Sequence, residues 1–254
     1  MLISLDIGNS SIKFGFFTKR DLFVRDIPTH PFLSLSRYSA LIRHFLREKN
    51  IDKIPEGIII SSVVPGQTEA LRKSLKRMFA VEPLIIDHTT KTGIALNIPK
   101  PEELGADRIA NAVAAVELFK CPVAVIDCGT ATTISVVGKN ADYIGGAILP
   151  GIRLMNESLA QGTSRLSEVQ ISPPLAALGV DTSACIRSGL FYGTAGAVER
   201  ILSDIEGETG LRLKIVMTGG NSRYISKFMH RKHKVVPNLS LEGLRIIFTR
   251  NADA

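Results

Sequence analysis

An aspartate and a glycine set between two apolar alternating runs occur twice in this chain, 121 residues apart. The first copy is Leu2-Ile3-Ser4-Leu5-Asp6-Ile7-Gly8-Asn9-Ser10-Ser11-Ile12-Lys13-Phe14-Gly15-Phe16-Phe17. The second runs from Val123 to Val137, with Asp127 and Gly129 where Asp6 and Gly8 stand. Apolar runs flanking a short polar turn with glycine are the pattern of strand, tight turn, strand. The offset is close to half of the 254 residues. Solenoid repeats have periods of about 20–50 residues, so this spacing predicts a duplicated domain. The expected division is residues 1–120 and residues 121–254.

Each copy is followed by strands and helices. In the first half, Ser36 to Asn50 is amphipathic, with Leu41, Ile42, Phe45 and Leu46 on one face and Arg43, His44, Arg47 and Glu48 on the other. Gly57 to Val64 reads as a strand ended by Pro65-Gly66, Gln67 to Phe79 as a helix, and Pro83 to Asp87 as a short strand. An alanine-rich helix is expected from Gly105 to Phe119. In the second half, Asp142 to Leu149 reads as a strand broken at Gly145-Gly146, and Lys214 to Met217 as a strand entering Thr218-Gly219-Gly220-Asn221. Helices are expected over Ile152–Ala160, Thr182–Glu208, Ser222–Arg231 and Leu241–Thr249. This is the pattern of an α/β protein with a cleft between two similar lobes.

Charge and cysteine content narrow the function classes. The net charge is +7, yet residues up to Lys120 carry 17 basic and 13 acidic side chains and the rest 14 and 11, so neither half is a basic domain. The one local excess runs from Arg212 to Lys234, without an acid. It reads as a solvated face or a phosphate-backbone surface, and with only Tyr224 and Phe228 interleaved it is no stacking platform. No specific nucleic-acid partner is expected. Three cysteines without a CxxC pair exclude a disulfide framework or zinc cluster by spacing. No apolar run is long enough to span a membrane, and the expected location is the cytoplasm.

The two turns point to phosphate chemistry. Asp6-Ile7-Gly8-Asn9-Ser10 places a carboxylate at a strand end, followed by a glycine that lets backbone N–H groups approach an anion, with the Ser10 hydroxyl close by. Lys13 adds a positive charge, and Asp6 is placed to hold Mg²⁺ through water. A plain glycine hairpin is the alternative. Asp127-Cys128-Gly129-Thr130-Ala131-Thr132 repeats the arrangement with the hydroxyls of Thr130, Thr132 and Thr133, and two such hairpins can grip one triphosphate. Neither GxxxxGK[ST] nor GxGxxG occurs. Thr218 to Asn221 is a third glycine turn, able to lie beside an adenine or simply to enter a helix.

Three such turns in this order resemble the actin, sugar-kinase and heat-shock ATPase superfamily. That resemblance implies two ribonuclease-H-like domains closing on ATP, the first phosphate loop in one and the second phosphate loop and an adenosine loop in the other. With Gly105-Ala106-Asp107-Arg108-Ile109-Ala110-Asn111-Ala112, Gly145 to Gly151 and the Gly179 to Gly189 segment, the chain is similar to type III pantothenate kinase over nearly its whole length. The resemblance implies ATP-dependent phosphorylation of the primary hydroxyl of pantothenate, the first step of coenzyme A biosynthesis. It gives Asp107 the role of general base and Asp127 that of ligand to a monovalent cation, K⁺ or NH₄⁺. It gives ATP the segment Asp6, Ile7, Gly8, Asn9, Ser10, Ser11, Ile12 and Lys13, with Gly129, Thr130, Thr132, Gly219 and Gly220. It gives pantothenate the residues Gly105, Ala106, Asp107, Arg108 and Thr182, and it implies a homodimer.

Residue chemistry is consistent with this, since phosphoryl transfer needs positioning, charge neutralisation and a carboxylate to orient the alcohol. Arg108 is suited to an anionic group. For Asp107 the alternative is an acid favoured by the helix dipole. The sequence departs from the family in carrying Ser10 for a common threonine. It also has Ile98-Pro99-Lys100-Pro101 where an aromatic often precedes the base-bearing loop. Family members have also been described as Bvg accessory factors, so a transcription-linked regulator is an alternative, and a kinase for another small alcohol is a third.

Overall fold

The computed structural model describes residues 1–19, 21–51 and 53–252. They divide into two units, Met1–Ala114 with the segment from Leu239, and Ala115–Asn238.

In the first unit, β1 (Leu2–Ile7), β2 (Ser11–Phe17) and β3 (Leu22–Pro28) form an antiparallel meander, and β4 (Gly57–Ser62) and β5 (Leu84–Ile85) continue the sheet in parallel from β1. The order is β3-β2-β1-β4-β5. Helices α1 (Leu35–Glu48) and α2 (Pro65–Phe79) make the right-sized crossovers for the parallel strands. α1 starts where the Ser34 hydroxyl accepts from the Arg37 amide. Its buried stripe of Tyr38, Ile42, Phe45 and Leu46 packs with Ile3, Leu5, Ile7, Ile12, Phe14 and Phe16 from the sheet. Each such side chain, fully buried, contributes roughly 1.5–3 kcal/mol. Pro65-Gly66, expected to end a strand, instead opens α2, with the proline in the first turn where its missing N–H costs nothing. β3 carries no strong pattern because it is a half-buried edge strand. A two-residue strand, β6 (Ala95–Leu96), precedes α3 (Ala106–Phe119).

The second unit repeats the plan. β7 (Val123–Cys128), β8 (Ala131–Val137) and β9 (Asp142–Pro150) form the meander, and β10 (Lys214–Thr218) and β11 (Lys234–Val235) extend it in parallel from β7. Thus β9-β8-β7-β10-β11 matches β3-β2-β1-β4-β5 strand for strand. The helices α4 (Ile152–Gly162) and α5 (Thr182–Thr209) lie between β9 and β10, and α6 (Ser222–Ile225) follows β10. The core includes Ile126, Ile134, Phe191, Val198, Leu202 and Met217. β9 runs through Gly145 and Gly146 unbroken, at φ +131° and +153°, with a register shift opposite at Val136/Val137. The helix expected over Ser222–Arg231 is an α-helix only to Ile225 and a 3₁₀ turn over Ser226–Phe228, and beyond it the amides of His230 and Arg231 donate to Glu199 Oε1 at 2.6 and 2.7 Å instead of continuing a helix.

The last helix, α7 (Leu239–Ala252), belongs to the first unit, where it lies against β1 and β4. Division at residue 120 would have counted it with the second half. No described helix is long and apolar enough to cross a membrane.

Candidate active site

The first phosphate-loop candidate is the turn between β1 and β2. Ile7 and Ile12 are fully buried and leave only backbone for a ligand, while Asn9 and Ser10 are exposed at the tip and Gly8, Ser11 and Lys13 are intermediate. The Gly8 amide donates to the Ser11 carbonyl at 3.0 Å. Thr29, buried just past β3, clamps the turn from the side: its hydroxyl donates to the Gly8 carbonyl at 2.6 Å and its amide to the Ser10 carbonyl at 3.1 Å.

Asp6 stands opposite Lys13 in the β1–β2 ladder, and Lys13 opposite Asp26 in the β2–β3 ladder, a cross-strand row of acid, base, acid. Burial pushes the Asp6 carboxyl above its ordinary value, opposed by a hydrogen bond from Ser240, the charge of Lys13 and the Ser61 hydroxyl. Asp26 is raised too, by burial, against the pull of Lys13. The Ser240 hydroxyl donates to Asp6 Oδ2 at 2.6 Å.

The second candidate, between β7 and β8, is one residue tighter. Asp127 pairs with Thr133, so a neutral hydroxyl residue takes the place that Lys13 has opposite Asp6. Gly129, Thr130 and Thr133 are intermediate in exposure, whereas Thr132 is fully buried and a ligand at the turn meets Gly129 and Thr130 first. The Gly151 amide donates to the Thr130 carbonyl at 3.0 Å, tying the start of α4 to this loop.

Beside it lies the third glycine turn. The Asn221 amide donates to the Cys128 carbonyl at 3.0 Å, and Gly219, at φ +88°, sits against Asp127. Gly220 is exposed with open space around its Cα. The second phosphate-loop candidate and the adenosine-loop candidate are therefore one packed assembly within the second unit.

In the first unit Asp107 and Arg108 occupy the opening turn of α3, both intermediate in exposure, after Gly105 and the buried Ala106. The amides of Arg108 and Ile109 donate to the Gly105 carbonyl, and the Arg108 amide also to Asp107 Oδ1 at 2.9 Å. Negative charge at a helix N-terminus is favourable, so the position suits an ionised carboxylate. Thr182 is exposed at the first residue of α5, after Asp181, whose carboxylate accepts from the Ala184 amide at 2.7 Å.

The donor sets suit the ions that the resemblance implies. Mg²⁺ is usually held by one or two carboxylates, with waters and substrate phosphates completing the shell. One part-buried aspartate beside an exposed loop of backbone amides fits that scheme. No cluster of three His, Cys, Asp or Glu side chains able to hold a metal alone occurs among the described residues. Asp127 offers a carboxylate and Thr133 opposite it a hydroxyl, oxygen donors of the kind a hard cation prefers.

Two residues escape the sequence reading, Thr29 and Ser240. Thr29 follows a strand without a clear pattern, and Ser240 lies 234 residues from its partner. The basic stretch is partly spent on structure: Arg231 pairs with Glu206 at 2.8 Å and Lys214 Nζ donates to the Phe119 carbonyl at 2.8 Å.

The model of the type III pantothenate kinase family matches residues 2–204. A protein named type III pantothenate kinase from Moorella thermoacetica is 34% identical over 253 residues, covering 99% of this chain and 100% of its own. Among solved structures, a Baf family transcriptional activator from Campylobacter jejuni is similar with TM-score 0.61 and 22% identity, over 99% of this chain and 100% of that one. A ROK family glucokinase from Streptomyces griseus, in complex with glucose and AMPPNP, is similar with TM-score 0.54 and 11% identity, over 96% and 97% of the two chains. At these identities the structural likeness is one of fold, in keeping with two ribonuclease-H-like domains.

Proposed function

The chain belongs to the type III pantothenate kinase family and phosphorylates pantothenate with ATP in coenzyme A biosynthesis, and from this premise we propose how its residues divide the reaction. Asp107 takes the proton of the primary hydroxyl. The hydroxyl oxygen forms a bond to the γ-phosphorus, the bond from that phosphorus to the β–γ bridging oxygen breaks with its electron pair going to ADP, and 4'-phosphopantothenate results. The supporting observation is the place of Asp107, in the first turn of a helix, part-exposed and with its Oδ1 accepting from the Arg108 amide.

ATP lies along Asp6 to Lys13 and along Gly129 and Thr130, with the adenosine at Gly219-Gly220. Backbone amides and hydroxyls meet the phosphates, and Lys13 offsets their charge. Ile7 and Ile12 contribute through backbone alone, and Thr132 supports its loop from within. Gly105, Ala106 and Arg108 frame pantothenate, joined by Thr182. Asp6 is the residue that would hold Mg²⁺, through water, and Asp127 the one that would hold K⁺ or NH₄⁺. When bound, these ions neutralise phosphate charge that builds up during transfer. The roles divide between the two units: Met1–Ala114 with α7 carry the first phosphate loop and the base, and Ala115–Asn238 the second phosphate loop and the adenosine loop. The protein works as a cytoplasmic homodimer without a specific nucleic-acid partner. The regulatory alternative is not favoured, because a likeness of fold alone links the chain to an activator.

The test is a coupled ADP-release assay with pantothenate, simple sugars and glycerol, each in potassium, ammonium and large organic-cation buffers. ADP release with pantothenate only, and faster in potassium or ammonium, is expected. Release with a sugar or glycerol instead would displace pantothenate, and equal rates in all three buffers would remove the cation from the scheme.

A further inference from the structure

The start of α7 reaches the phosphate-loop acid directly. Ser240 is the second residue of α7, past the cap position at which a serine hydroxyl accepts from a first-turn amide. Its hydroxyl donates to Asp6 Oδ2 at 2.6 Å, from a side chain that is almost wholly buried. A hydrogen bond to a charged acceptor is short and strong, and it selects one orientation of the carboxylate.

The helix that delivers Ser240 has little freedom to move. A Cβ on Gly243 would stand 1.9 Å from the Ala110 carbonyl oxygen, so α7 and α3 touch backbone to backbone. The Phe248 ring lies so close to Gly57 on β4 that a Cβ there would fall 1.8 Å from it. Ala110 is one turn along α3 from Asp107. The helix that holds Asp6 is thus seated on the helix that carries the base.

We propose that Ser240 is a positioning residue for phosphoryl transfer: it fixes the Asp6 carboxylate through Oδ2 and leaves Oδ1 for the hydrated divalent cation that accompanies ATP. This rests on the reading of Asp6 as the residue that holds Mg²⁺. Ser240 touches neither substrate, and it acts only through Asp6. Its loss weakens the response to Mg²⁺ without weakening the site for pantothenate.

The experiment compares the full-length parent with Ser240→Ala, Asp6→Asn and the double variant. ADP affinity is measured calorimetrically with and without Mg²⁺, alongside kcat, KM for pantothenate and the melting temperature. Ser240→Ala is expected to melt below the parent, because a buried carboxylate loses its hydrogen bond, but to bind ADP normally without Mg²⁺. With Mg²⁺ it binds ADP about 10- to 100-fold more weakly, the range of one hydrogen bond to a charged group. Its kcat falls while KM for pantothenate stays, and it costs nothing further once Asp6 is Asn. If Asp6→Asn abolishes the Mg²⁺ effect but Ser240→Ala leaves it intact, Ser240 has no positioning role. If Asp6→Asn itself leaves the effect intact, the reading of Asp6 fails and takes the proposal with it. An equal loss of ADP affinity with and without Mg²⁺ makes Ser240 structural and overturns the proposal as well.

Discussion

A side-chain carbon on Gly219 would stand 2.3 Å from Oδ1 of Asp127, so the turn after β10 and the carboxylate at the end of β7 share one tightly packed space. The turn also needs φ +88° at this residue, a conformation that costs an L side chain about 1 kcal/mol or more. Gly219→Ala must therefore move the turn, the carboxylate or both. It is expected to lower the melting temperature and to reduce the activation of turnover by potassium. A potassium titration of the rate checks this, and an unchanged titration would separate Asp127 from the cation.

Asp107→Asn distinguishes a base from a cap. Asn occupies helix starts as readily as Asp, so a residue needed only for the helix loses little stability or activity on this change. A base that can no longer accept the proton costs about 10²- to 10⁴-fold in rate. The variant is expected to melt like the parent and bind ATP normally, with single turnover of pantothenate at least ~100-fold slower. Near-normal turnover would remove Asp107 from the mechanism.

Asp6→Asn is expected to lose activity without losing stability. Burial raises the Asp6 carboxyl, so the folded state binds this proton more tightly than the unfolded state does. Above the raised pKa the ionised carboxylate therefore costs the fold stability, and as pH falls through that pKa the cost disappears. A neutral amide avoids it, and the variant should melt at or above the parent temperature at neutral pH, with the difference shrinking in acid. A lower melting temperature at neutral pH would mean that the bonds from Ser240 and Lys13 outweigh burial.

Gly243→Ala tests the seat of α7 on α3. One methyl group at this backbone contact forces the helices apart, and overpacking of this kind typically costs about 1–3 kcal/mol. Denaturant unfolding is expected to show that loss. Turnover should fall as well, because the displaced helices carry Ser240 and Asp107. Parent-like stability would show that the contact yields without strain.

The repeat around Asp6 and Asp127, the helix that opens at Asp107 and the strand leading to Gly219 were legible in the chain because each is written in local order. Period-two and helical spacing and glycine at a turn need only neighbours in sequence. The same locality explains the misreadings. Pro65-Gly66 carries equal signals for ending a strand and starting a helix, and the amides of His230 and Arg231 left helical bonding for Glu199, some 30 residues earlier in the chain. Only the tertiary structure decided that α7 returns to β1, that Thr29 clamps Gly8, that Ser240 holds Asp6, and that Thr133 rather than Ile134 faces Asp127. The first three depend on packing between segments far apart along the chain. The last depends on a turn shorter by one residue, which shifts the ladder and changes the neighbour that each carboxylate meets.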